Sequence, residues 1–290
     1  MATTKHEPLP TIFYGALELH GDLFFASLEF HDLVETLPVV HNYALTYALD
    51  LCTAESGRVT PLYWTTERRK QQPRYADDFA ALTQAGVYVT PAKSPDGLPP
   101  TAIRQYATRV DEYLHAQRKI DDVLSWEPNP NKRKANTLAS LFPLHGYLKV
   151  ITVGARFLFY AYNLPPEFPL QRYVRLGKFN SKAAVTLRRC PEIAAVENTQ
   201  VTTHPVNPMD VTGTIPLNLV TMRPTPLAMV AHLPGAEVLK VTHPHPWKNG
   251  ASITAYLPRA PHYSATAIGE TRATVPDKSR KAASKRRTRR

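Results

Sequence analysis

Two periodicities open the chain. Ile12-Phe13-Tyr14-Gly15-Ala16-Leu17-Glu18-Leu19 reads as a strand: Phe13, Leu17 and Leu19 share one face, and Gly15 lies between them on the same side. A second apolar run, Leu23 to Ser27, continues through Leu33 and Leu37 and feeds a helix. There Val40, Tyr43 (or Ala44), Tyr47 (or Ala48) and Leu51 recur at helical steps and fall on one face, with Asn42, Thr46 and Asp50 pointing elsewhere. A strand followed by a buried helix is the opening of an α+β domain. His41-Asn42-Tyr43 stands at the helix start, where polar side chains and free backbone N–H groups meet an anionic ligand well.

Further along, Glu55-Ser56-Gly57 ends that helix, and Arg58–Trp64 reads as an irregular or edge strand because Pro61 cannot donate to a ladder. Asp78–Ala85 predicts a short helix and Val87–Thr90 a strand. After a Pro/Gly loop, Ser94–Pro100, the steps of Ile103, Tyr106 (or Ala107), Val110, Leu114 and Leu124 predict a helix over Ala102–Leu124, although Tyr106–Val110 also suits a strand. Glu127–Lys134 is turn-rich and basic. Tyr147–Val153 and Arg156–Tyr162 read as a hairpin around Gly154-Ala155. Most of its rings suit a core, with Tyr160 and Tyr162 the candidates for a ligand-facing side. Beyond Cys190-Pro191 the chain is proline-rich, and Ile215–Met222, Leu227–His232, Glu237–Thr242 and Ser252–Leu257 read as four short strands. They either complete the first sheet or form a second small one. From Thr266 apolar spacing is lost and a disordered basic tail is expected, so the chain divides into 1–190, a β-rich 191–265 and a tail, 266–290.

Composition narrows the class. With 290 residues and 43% hydrophobic content there is length for a sizeable core. No apolar run approaches the roughly 20 residues of a membrane span, and the N-terminal Met-Ala-Thr-Thr-Lys-His-Glu-Pro has no apolar region, which argues against secretion and a membrane. Two lone thiols, Cys52 and Cys190, fit a reducing cytoplasm. The formal charge of +11 is unevenly spread: eight of the 35 basic residues lie within 278–290, leaving 27 against 24 acidic, a body near +3. A cationic tail holds any polyanion by counterion release without reading its sequence.

The strongest candidate for recognition chemistry is Arg172-Tyr173-Val174-Arg175-Leu176-Gly177-Lys178-Phe179-Asn180-Ser181-Lys182. Four cations and a hydroxyl surround one glycine, so backbone and side chains can approach phosphates together, and Asn180 and Ser181 can bond a sugar hydroxyl or base edge. A second basic segment, with Arg68 and Arg69, lies between Trp64 and Tyr75 and reads as a solvated loop or as a phosphate-contacting one. His243-Pro-His245 near Trp247 lacks the companion cysteines or carboxylates of a metal site and reads as a loop of surface histidines. Walker, Gly-x-Ser-x-Gly, His-Glu-x-x-His and Cys-x-x-Cys patterns are absent, and no cofactor, metal or catalytic residue is expected. Metal-independent RNA cleavage needs only a base and a cation, for which His41, Tyr43 and Lys182 are the available residues.

Four ordered segments carry a resemblance: Phe13–His20 with Leu23–Ser27, Glu35–Pro38 with His41–Leu49, Tyr88–Ala92, and Val174–Ala183. Over about residues 12–190 the chain resembles the subtype I-D (Csc-one-like) members of the CRISPR-associated Cas-five family, within the RAMP superfamily. That resemblance implies a ferredoxin-like (RRM-type) domain with an antiparallel sheet and a thumb-like insertion, for which Arg58–Arg74 and Ser94–His145 both qualify. It implies a non-catalytic subunit at the foot of a Cascade complex, gripping the 5′ handle of the crRNA. Its neighbours would be a Cas-seven-like backbone subunit and a Cas-ten-like large subunit, with target DNA engaged indirectly. Arg172, Arg175, Lys178 and Lys182 would then meet phosphates, with Asn180 and Ser181 beside them, and His41, Asn42 and Tyr43 would shape a pocket for handle nucleotides. One feature departs from the superfamily: a glycine-rich loop near the C-terminus is missing, with only single glycines at Gly213, Gly235 and Gly250. A handle-specific endoribonuclease and a free-standing nucleic-acid-binding protein are the alternatives.

Overall fold

Strand β1 (Ile12–Leu19) is apolar on both faces, and Ile12, Tyr14, Leu17 and Leu19 are all buried, which fits a central strand. It is part of a computed structural model that describes residues 8–30, 33–52, 75–107, 145–196, 201–234 and 238–264. After β1 come β2 (Leu28–Phe30), β3 (Leu33–Glu35), β4 (Val39–Val40), helix α1 (Asn42–Ala48), helix α2 (Tyr75–Gln84), β5 (Tyr88–Val89), β6 (Ala92–Lys93) and β7 (Thr101–Ala107). Then follow β8 (His145–Ile151), β9 (Arg156–Tyr162), β10 (Gln171–Leu176), β11 (Ser181–Arg189) and β12 (Glu192–Val196). The described chain closes with β13 (Val201–Thr202), β14 (Ile215–Val220), β15 (Leu227–His232), β16 (Val238–Pro244) and β17 (Ser252–Pro258).

The largest sheet has the order β10-β11-β1-β9-β6-β4, with β5 also paired to β9, and all its pairings are antiparallel. Gly15 faces Phe159 across the β1–β9 pair, and a Cβ there would sit about 2.2 Å from the Phe159 ring. The missing side chain leaves room for that ring against β1. One face of this sheet, carrying Val174, Leu176, Val185 and Leu187, is covered by α1: Arg172, on the same face by strand alternation, donates from Nη1 to the Leu49 carbonyl at 2.6 Å. Helix α2 adds Phe79, whose ring centroid lies 5.0 Å from that of Tyr43.

Three expectations need correction. The fold is mostly β rather than evenly α+β: the described residues hold only two short helices. Residues 101–107, expected to begin a helix, form strand β7, because Ile103 alternates with polar neighbours opposite β8 as well as it steps helically; 108–124 lie outside the described residues. The segments at 147–153 and 156–162 are strands but do not pair. β8 joins β3 and β7 in a four-stranded sheet, β2-β3-β8-β7, while β9 crosses into the large sheet beside β1. The turn at Thr152–Ala155, with Gly154 at φ +81°, therefore links two sheets.

The late strands form two three-stranded sheets, β12-β16-β17 and β13-β15-β14. Leu239, Val241, Ala255, Leu257 and Tyr263 join the same core as β1 and β9. Cys52 and Cys190 are free, and burial pushes the Cys190 thiol up to about 12. No helix among the described residues is long and apolar enough to cross a membrane.

Candidate nucleic-acid interface

The face of the large sheet opposite α1 is open over β10, β11 and the adjoining part of β1. Register places its side chains in rows. Arg175 pairs with Lys182, and the His20 N–H donates to the Lys182 carbonyl at 2.8 Å. The next row runs across four strands: Tyr173 opposite Ala184, Ala184 opposite Glu18, Glu18 opposite Arg156. None of these four residues is buried. Lys182 Nζ lies 3.8 Å from the centroid of the Tyr173 ring, which is 61% exposed, and His20 meets that ring edge-on at 5.7 Å. An aromatic ring with cations beside it on an open sheet is the arrangement by which RNA-recognition sheets stack bases and hold phosphates.

The β10–β11 turn is built around one glycine. Gly177 has φ +70°, and a Cβ there would lie 2.5 Å from the Phe24 carbonyl oxygen. Lys178 N–H donates to that same oxygen at 2.8 Å, so the turn is clasped to the segment after β1. Asn180, at φ +52°, takes the left-handed conformation that asparagine tolerates, and its carbonyl accepts from Arg175 Nη1 at 3.1 Å. Phe179 is 50% exposed, with its ring centroid 5.1 Å from that of Phe24.

The structure divides the residues expected to bind RNA. Arg175, Lys178 and Asn180 are exposed and Lys182 partly so, all on the hairpin. Arg172 is turned inward: besides Leu49 it pairs with Asp50, closing the C-terminal end of α1 where carbonyls lack helical partners. Ser181 is buried and donates to the Asp22 carbonyl. Arg68 and Arg69 lie outside the described residues, as does the Arg58–Trp64 strand.

His41, Asn42 and Tyr43 are 3%, 0% and 1% exposed and offer no pocket wall to a ligand. His41 caps α1, its Nδ1 accepting from the Tyr43 N–H at 3.1 Å, while Nε2 lies 3.2 Å from the Thr225 carbonyl. Nδ1 is thus the acceptor and Nε2 carries the proton, and burial lowers the imidazole to about 3. Asn42 Nδ2 and the Tyr43 and Tyr88 hydroxyls all donate to the Asp210 carboxylate, at 2.7, 2.7 and 3.0 Å, and the Ser264 N–H adds a fourth bond at 3.1 Å. Thr46, also expected to point away, is buried and bonded to the Tyr263 hydroxyl at 2.7 Å. The polar side of α1 is therefore an internal joint to the C-terminal region. His41 and Tyr43 are not brought to Lys182, which lies on the opposite face of the sheet.

The open face ends where the late strands cover it. Tyr160 and Tyr162 do lie on this face but are buried, their hydroxyls bonded to His243 Nε2 at 3.0 Å and the Pro258 carbonyl at 2.8 Å. His243 stacks on Tyr14 with centroids 4.0 Å apart, and burial lowers its imidazole pKa. His243 is thus part of the packing rather than a surface histidine. Among the described residues no group of three or more His, Cys, Asp or Glu is placed to hold a metal. Sequence reading missed Tyr173 and Phe179 as stacking rings, although Tyr173 and Arg175 are two residues apart on a strand and so share a face.

A family model for the type I-D CRISPR-associated protein Cas5/Csc1 matches residues 10–265, extending through the C-terminal strands. No curated protein matches the chain. Among solved structures, a chain of the cryo-EM structure of the Type III-B Cmr-beta bound to cognate target RNA and AMPPnP is 10% identical, with 94% of this chain and 92% of that chain covered at a TM-score of 0.35.

Proposed function

The chain belongs to the type I-D CRISPR-associated Cas5/Csc1 family, and from that premise we propose that it is the non-catalytic subunit that caps the 5′ handle of the crRNA in a type I-D Cascade complex. The supporting observation is the β10–β11 hairpin, where Arg175 and Lys182 share an uncovered sheet face with the exposed ring of Tyr173, and Lys178 and the exposed ring of Phe179 lie in the adjoining turn. The cations hold handle phosphates, the two rings accept unstacked bases, and the Asn180 amide is the polar group nearest to reading a sugar hydroxyl or base edge. A helix-covered sheet with one open face, centred on β1, supports an RRM-type (RAMP) reading of the domain. The antiparallel arm of β7 and β8 supports Ser94–His145 as the thumb-like insertion. In this role the chain anchors the Cas-seven-like backbone and the Cas-ten-like large subunit, and engages target DNA through them.

The test is charge reversal of Arg175, Lys178 and Lys182 together, with the partner subunits co-expressed and the retained RNA sequenced. Guide RNA is lost or its handle end becomes nuclease-sensitive, and with single-stranded repeat RNA the slope of log K against log salt falls by about 2, at roughly 0.7 per phosphate contact. Guide retention and handle protection equal to wild type would overturn the reading.

A further inference from the structure

We propose that the open face continues as a track for single-stranded nucleic acid, from Tyr173 across the sheet to a second stacking platform formed by Arg156 and Trp247. The inference rests on the handle-binding reading and extends it to residues on the far side of β1. The row Tyr173-Ala184-Glu18-Arg156 crosses β10, β11, β1 and β9, three inter-strand steps or about 14 Å. At its end the Arg156 guanidinium carbon lies 5.5 Å from the centroid of the Trp247 ring, which is partly exposed. A guanidinium and an indole are each surfaces on which an unstacked base rests. The platform is held in place before any ligand arrives: Trp247 N–H donates to His245 Nδ1 at 3.2 Å, and His245 N–H to the Ala251 carbonyl at 2.8 Å.

Ala184, between the two ends, is small and leaves the middle of the row low. Charge along the track is mixed in a way that favours a phosphate chain at its edges. Arg175 and Lys182 flank one end and Arg156 the other, while Glu18, in the middle, lies 3.4 Å from Arg156 Nε. Lys248 beside Trp247 is paired with Asp96, which also lies 3.4 Å from His245 Nε2. The ligand is therefore a short single strand, with bases turned onto the rings rather than a duplex laid on a uniform basic surface.

Trp247 is one of three tryptophans, so the full chain carrying Trp64→Phe and Trp126→Phe reports on this position alone. It is titrated with a single-stranded RNA oligonucleotide, the DNA of the same sequence and the RNA duplex. Quenching of Trp247 emission by the single strands, together with a loss of affinity of about 5- to 150-fold in Trp247→Ala, is expected from one stacked base. Trp247→Phe retains most of the affinity. A preference for RNA assigns the track to the guide, and equal or better binding of DNA assigns it to a DNA strand. If RNA binds and the Arg175, Lys178 and Lys182 reversal abolishes that binding, while Trp247 emission and the Trp247→Ala affinity stay unchanged, the track is overturned and handle binding stands. If the unreversed chain binds no single strand, both fall.

Discussion

Asp210 accepts four hydrogen bonds inside the protein, three from side chains of α1 and β5 and one from the Ser264 backbone. Its partners all donate, which favours the ionised form, yet burial outweighs them and raises its carboxyl above the ordinary 3.8. The native carboxyl consequently keeps its proton to higher pH than the unfolded one. The stability it adds is fully present below the unfolded value and is lost as pH rises through the native one. Asp210→Asn does not titrate. Measured by urea unfolding of the full chain from about pH 4 to 7, the stability of wild type relative to Asp210→Asn should fall as pH rises. A difference that grows with pH would mean that the donors, not burial, set the carboxyl. Asp210→Ala strands the donors without acceptors and should cost about 3 kcal/mol or more. Half of this joint was legible in the sequence. The polar helix start at His41-Asn42-Tyr43 stood out, but as a ligand site. Its true partner lies 168 residues away from Asn42, and no local pattern points to it.

At the scale of elements, the β10–β11 hairpin depends on a conformation that its sequence announced. Gly177 has a positive φ and lies against the Phe24 carbonyl, so a methyl there meets both backbone strain and a steric clash. Gly177→Ala should destabilise the chain by about 1–3 kcal/mol in chemical unfolding, and it should weaken single-strand binding because the clasp through Lys178 N–H opens. Unchanged stability and binding would show that the turn tolerates the shift. The positions of several strands were legible: β1, β9, β15 and β17 fall within a residue of their expected bounds. Pairing was not. The β8 and β9 segments are joined by the glycine turn of a hairpin, but β9 is buried on both faces and has both edges paired by other strands, β1 on one and β5 with β6 on the other. Sequence periodicity records which faces are buried; it carries no label for the strand next door.

Across the whole molecule, the C-terminal strands cover one half of the large sheet's face opposite α1 and leave the other half open. They also present an apolar edge of their own. Ile215, Leu217 and Leu219 on β14 are 49%, 60% and 49% exposed. Pro216 removes a backbone donor from this edge strand, and the register shifts beside Asn218 break its ladder, so the edge is poorly suited to adding another strand. What it offers is side-chain surface, and three large apolar groups on one short strand suit a protein neighbour. In the proposed Cascade role that neighbour is a protein subunit rather than RNA. Leu217→Lys should leave the urea midpoint of the isolated chain within about 0.5 kcal/mol of wild type, since the side chain is largely solvated already. Its affinity for single-stranded repeat RNA should be unchanged, because β14 lies outside the open face. Co-purification with the partner subunits should fall, with guide RNA lost from the pulled-down chain only as a consequence. Full assembly with Leu217→Lys would remove β14 from the interface, and weakened RNA binding by the isolated variant would move the nucleic-acid path onto this edge.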